Sequence, residues 1–140
     1  MRYVLHLNDK QKQEEILKEI HRVIKHCAII EHAGADNKET DEWKKVIHGF
    51  YESKDIPEFK RTEFYFSSRD EIEAMMDKNK IPFERIMEKK VDNLSDTFIT
   101  RFNMSEDSAK KTKERLAGKD YITRTIWLIN KLKNKPEFTF

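Results

Sequence analysis

The stretch LKEIHRVIKH, residues 17 to 26, sets a glutamate and two histidines on a run with helical spacing. In the metal-hydrolase pattern H-E-x-x-H, two histidines four residues apart hold zinc on one helix face. The glutamate beside the first acts as general base. Aligned on Glu19, this chain puts Lys18 and Arg22 at the two ligand positions. Both oppose a cation, since lysine brings a positive charge and arginine cannot be deprotonated in a protein. Glu19 stands where the base belongs. A working site here requires an unorthodox set built from Glu19, His21, His26 and Glu71.

The remaining histidines do not repair it. His21 and His32 share a face if one helix carries both, but about 16 Å of helix axis separates them, too far for one ion. His26 points elsewhere, and His6 and His48 lie on other elements. A tetrahedral zinc site needs three or four converging ligands, so no metal cofactor, zinc included, is expected. Cys27 falls on an apolar stripe and reads as a buried thiol rather than a nucleophile. The sequence has no glycine-rich phosphate loop and no G-x-S-x-G. Ser68 stands at a strand-to-helix turn, where capping accounts for it.

A second constellation lies between Leu94 and Leu116. A short helix, the turn NMS and a second helix opening at Ser105 have the punctuation of a helix-turn-helix, with Phe98, Phe102, Met104, Ala109 and Leu116 between the two. Lys110, Lys111, Lys113 and Arg115 on the second helix could meet phosphates, joined further on by Lys119, Arg124 and Lys131. Glu106, Asp107 and Glu114 lie among them, and no Asn or Gln stands there to read adenine. Packing alone also explains the helix pair.

The elements that must position these groups follow from periodicity. RYVLHL reads as a short strand. A helix then runs from about Lys10 to His32, with Ile16, Ile20, Val23, Ile24 and Cys27 at steps of three and four. A second helix starts at Thr40 or Asp41 and carries Trp43, Val46, Ile47, Phe50 and Tyr51. KRTEFYFSS is the best strand, and SRDE after it is a capping box, Ser68 with Glu71. PFERIMEKK reads as a helix with Pro82 at its first position, and DYITRTIWLINKLK as a last helix. Its broad apolar face suits core packing, or a dimer through Trp127 and Leu132. The expected class is α+β, mostly helical, with two or three short strands and a helix-turn-helix-like C-terminal half. Residues 1–140 read as a single domain, divided into 1–92 and 93–140.

At 140 residues, 37% apolar and 39% charged, the chain is polar yet keeps nine Phe, four Tyr and two Trp for a modest aromatic core. Three Gly and three Pro favour helices joined by short turns. No run of about 18 apolar residues spans a membrane, and the N-terminus lacks the apolar core of a signal peptide. One cysteine fits a reducing compartment, so the expected location is cytoplasmic. Net charge is +2, but residues 1–77 hold 13 Lys and Arg against 17 Asp and Glu, and residues 78–140 hold 15 against 9. An acidic first half and a basic second half suggest two surfaces with different partners.

The segment KIPFERIMEKKVDNLSDTFITRFNMSEDSAKKTKERL resembles the tail of the ImmA/IrrE metallopeptidases. Phe102, Ser105, Ala109, Arg115 and Leu116 echo a family segment of the form F-x-V-S-x-x-A-x-x-R-L, and IPFERI is similar to the corner before it. The resemblance implies a zincin-like first half, in which Glu19 is the base and Glu71 the third ligand. It puts Lys18 and Arg22 where both histidine ligands belong. Family members cleave a repressor of the helix-turn-helix class, which switches mobile-element or stress genes. A scaffold without its ligands implies a non-catalytic cytoplasmic regulator or inhibitor that binds a protein partner, encoded by a phage or other mobile element. The alternatives are a nucleic-acid-binding helix-turn-helix module and a metal-dependent peptidase that cleaves a repressor.

Overall fold

The computed structural model describes residues 5–35, 37–61 and 63–131. The chain is α+β: among the described residues there are five helices and three strands, with a short 3-10 turn at Leu5–Leu7 and another at Glu58–Lys60. In order they are α1 (Lys10–Val23), β1 (Cys27–Gly34), α2 (Asn37–Ser53), α3 (Arg69–Lys78), β2 (Phe83–Asp92), α4 (Leu94–Arg101), α5 (Glu106–Arg115) and β3 (Tyr121–Asn130). All pairing is antiparallel in the order β1-β3-β2, so the last strand lies at the centre.

Three expected helices are strands, wholly or in part. The helix expected to reach His32 ends at Val23, where Ile24 turns extended. Residues 27–34 instead pair along their length with 123–130. The expected last helix is β3, whose Ile122, Thr123, Thr125, Ile126 and Ile129 are β-branched and suit a pleated sheet. PFERIMEKK forms β2 rather than a helix opening at Pro82; its exposed Glu84, Arg85, Glu88, Lys89 and Lys90 guard a sheet edge against further pairing. The strand expected at RYVLHL is, where described, the turn at Leu5–Leu7. Of the expected strand KRTEFYFSS, Lys60 ends the second 3-10 turn and residues 63–67 are extended without a ladder of their own, tied by Tyr65 N to His6 O at 2.7 Å and by Ala35 N to Phe66 O at 3.2 Å.

Other local expectations hold. Ser68 and Glu71 form the capping box of α3. Ser105 caps α5 by accepting from Ser108 N, and α4, a short turn and α5 stand as expected. Gly118 takes φ +77°, the left-handed conformation that glycine adopts without strain.

Two buried clusters hold the elements. Leu5, Leu17, Ile30, Ile72, Met76, Ile81, Trp127 and Ile129 join α1 and α3 to one sheet face. Trp43, Val46, Ile47, Tyr51, Phe64, Phe66, Phe98 and Leu116 join α2, α4 and α5 to the extended segment. Trp127 therefore serves the core, and Leu132 lies outside the described residues. No helix among the described residues is long and apolar enough to cross a membrane.

Candidate functional site

The expected hydrolase residues do not converge. Glu19 is on the solvated face of α1, paired with Arg22 at 2.5 and 2.9 Å, and that hydrogen bond holds its carboxyl below the ordinary range. His21 also lies on α1, whereas His26 falls in the link to β1. Glu71 closes the capping box and pairs with Lys10; burial works to raise its carboxyl, and the Lys10 and Ser68 hydrogen bonds outweigh it. Among the described residues no group of three or more His, Cys, Asp or Glu could hold a metal ion. Cys27 is exposed rather than buried, because the stripe it was expected to extend ends with α1.

The expected basic surface is likewise dispersed. Lys113 pairs with Asp96 on α4 at 2.6 Å, and Lys111 pairs with Asp107 at 3.0 Å. Arg124 on β3 holds Glu31 on β1, and Lys131 donates to Arg22 O at 2.8 Å. Lys110 is exposed on α5, and Lys119 is half-buried past its end. Lys111 and Arg115 line a cleft against α2.

A crevice lies where β1 ends. Gly34 and Ala35 supply its β1 side, Ser68, Arg69 and Asp70 the start of α3, and Glu88, Tyr121 and Thr123 the neighbouring strands; its volume is about 280 Å³. Arg69 organises the rim. It donates to both Glu88 oxygens at 2.8 and 2.9 Å and to Asp70 at 2.9 and 3.0 Å, and these bonds, Asp70 first, raise its already high pKa. The Lys90 ammonium sits 4.1 Å from the Tyr121 ring centre.

Behind the rim is a buried polar network that periodicity did not reveal. Gln13 Nε2 donates toward Leu5 O, Asn8 O and Tyr65 O at 2.9–3.0 Å, and its Oε1 accepts from Ser67 Oγ at 2.6 Å. His32 Nε2 donates to Ser67 O at 2.8 Å. That bond makes Nδ1 the acceptor, and it is buried without a hydrogen-bond partner. Burial pushes the His32 imidazole down to about 4, so it is neutral at pH 7. A Cβ on Gly34 would come within 2.2 Å of Ser67 O, so glycine is what lets β1 pass this close. The signals were a lone glycine ending a β-branched run and a glutamine on a helical stripe.

No family model and no curated protein matches this chain. Solved structures do. A protein of Bacillus halodurans named as a candidate methyltransferase superposes with a TM-score of 0.50 at 10% identity, over 92% of this chain and 65% of that one. The YcgJ protein of Bacillus subtilis superposes with a TM-score of 0.51 at 17% identity, over 92% of this chain and 59% of that one. This chain thus spans less than two thirds of either neighbour, and at these identities the likeness is one of fold. It displaces the ImmA/IrrE resemblance, whose corner IPFERI runs into strand β2 here. With it go the readings as a phage-encoded non-catalytic regulator or inhibitor, a helix-turn-helix module and a repressor-cleaving peptidase.

Proposed function

We propose that this chain is a methyl-transfer protein of the kind its Bacillus halodurans fold neighbour is named for, with S-adenosylmethionine taken at the crevice where β1 ends. The observation that carries this is position. Open α/β folds hold ligands in the crevice outside the carboxyl ends of strands. Here Gly34 closes β1, α2 follows within three residues, and the first residues of α3 form the opposite wall.

The residues present fit the nucleoside and amino-acid parts of such a donor. Asp70 and Glu88 offer carboxylate acceptors for hydroxyl or ammonium hydrogens, Ser68 and Thr123 offer hydroxyls, and Tyr121 offers a ring face for a planar base. Arg69 positions the two carboxylates. The bound donor would supply an electrophilic methyl group. The frame departs from a doubly wound parallel sheet, since the described strands are all antiparallel and the Ala35 amide is engaged by Phe66. The reading therefore rests on the strand-end crevice and not on a glycine-rich turn.

Calorimetric titration with S-adenosylmethionine and S-adenosylhomocysteine tests it. Saturable binding of both, weakened in Tyr121→Ala and Thr123→Val, supports the reading. Absence of binding in a folded protein removes it.

A further inference from the structure

We infer that the crevice at the end of β1 selects a cation, with Asp70 as the residue that sets this preference. It therefore holds a sulfonium donor more tightly than the neutral thioether that differs from it by one methyl group. This rests on the methyl-transfer reading and deepens it by naming the charge of the ligand the site prefers.

The rim carries more negative charge than its own cations cancel. Arg69 divides its guanidinium between two carboxylates, Asp70 at 2.9 Å and Glu88 at 2.8 Å. Arg85 comes to 3.6 Å from Glu88, but its close contact is Glu73 at 2.7 Å. Three carboxylates, Asp70, Glu73 and Glu88, thus face two guanidinium groups, and one negative charge is left over. Lys90 pairs with Asp92 at 3.6 Å and Lys10 with Glu71, so neither adds net charge. The positive end of α3 also faces the rim, but Ser68 caps it and Asp70 and Glu71 stand in its first turn.

The excess charge is placed where a ligand reaches it. Both Arg69 hydrogen bonds to Asp70 end on Oδ1, at 2.9 and 3.0 Å, and among the described residues Oδ2 accepts none. The Asp70 side chain is exposed and lines the crevice. The register of β2 on β3 sets Glu88, Lys90, Tyr121 and Thr123 on one face of the sheet. There the Lys90 ammonium lies 4.1 Å from the centre of the Tyr121 ring. A cation of the chain itself thus rests on a ring that walls the crevice, in the arrangement by which an aromatic face attracts positive charge.

S-adenosylmethionine and S-adenosylhomocysteine share a nucleoside and an amino-acid part, and contacts to those parts hold both alike. They differ by one methyl group and one positive charge. A unit charge roughly 4 Å from its partner in water separates the two by about fivefold. A site of this sign also releases the neutral form more readily than the charged one.

Calorimetric titration at low salt with S-adenosylmethionine, sinefungin and S-adenosylhomocysteine tests this. Sinefungin keeps the positive charge on an amine in place of the sulfonium. The two cations should bind about fivefold more tightly than the thioether, and high salt should narrow the gap. The chain has three glycines, so ¹⁵N-glycine labelling gives three amide signals, and movement of Gly34 places each ligand in the crevice. Asp70→Asn should weaken both cations about fivefold and leave the thioether unchanged. Lys90→Met removes a positive charge and should widen the gap. Opposite effects of these two variants follow from charge and not from a structural role. Thioether binding as tight as that of the cations overturns the inference and leaves the methyl-transfer reading standing. So does equal weakening of all three ligands by Asp70→Asn. Absence of binding by any of the three, in a folded protein, removes the reading and the inference together.

Discussion

His32 on β1 donates its Nε2 hydrogen to the carbonyl oxygen of Ser67, 35 residues away, at 2.8 Å. This bond ties the end of β1 to the residue just before the cap of α3, and so sets two walls of the crevice. Next to it the chain passes so closely that Gly34 has no room for a side chain. The crevice has the shape it has because these backbones are locked together.

Acid should loosen this lock. The folded-state pKa of His32 is lowered from 6.5 to about 4 by burial. Between those values the unfolded chain binds the proton and the folded chain does not, so stability rises with pH across the window and falls as pH drops from 6.5 toward 4. The full effect is roughly 3 kcal/mol at most. His6, also lowered by burial and by Arg101, acts with the same sign. Urea midpoints at pH 7 and pH 5 should differ in the native chain and differ less in His32→Gln. Equal differences in the two proteins contradict this.

Gly34, at the end of β1, and Gly49, inside α2, should respond in opposite directions to alanine. Gly34→Ala drives a Cβ to 2.2 Å from a backbone oxygen, which must shift, and overpacking of this kind costs about 1–3 kcal/mol. Gly49→Ala meets open space in a helix interior and should stabilise by about 0.5–1 kcal/mol. Melting temperatures of the two variants check the pair.

Glu73 joins α3 to two strands, accepting from Arg85 on β2 at 2.7 and 2.8 Å and from Trp127 Nε1 on β3 at 2.8 Å. The Arg85 bond chiefly holds its carboxyl below the ordinary range, so the stabilisation it gives is present at neutral pH and is lost as pH falls through that lowered value. Glu73→Gln should cost about 1–2 kcal/mol at pH 7 and shift Trp127 fluorescence. An unchanged urea midpoint and spectrum contradict it.

What the sequence made legible was local. The Ser68–Glu71 capping box, the Ser105 cap, the apolar face of α2 and the turn between α4 and α5 each follow from residues within a few positions of one another. β1 was not legible, because Cys27 to His32 continue the spacing of α1. Their strand state is fixed by pairing with β3, nearly a hundred residues on. β3 carried a warning in its β-branched run, yet Ile122, Ile126 and Ile129 also fit helical steps, and only its central place in the sheet decides the matter. The crevice was hidden for the same reason: Gly34, Ser68, Glu88 and Tyr121 come from four parts of the chain, and the three strands among them read wholly or in part as helices. Lys111 and Arg115 were visible as basic residues, but the cleft they line is completed by Lys45 and Gly49, which belong to α2.

The most direct measurement is the ¹⁵N-glycine spectrum titrated with S-adenosylmethionine. The account predicts that the Gly34 amide moves saturably while Gly118 stays fixed, and that Tyr121→Ala weakens the response. A Gly34 amide that does not move, in protein whose three signals show a folded chain, contradicts the assignment of a methyl donor to this crevice.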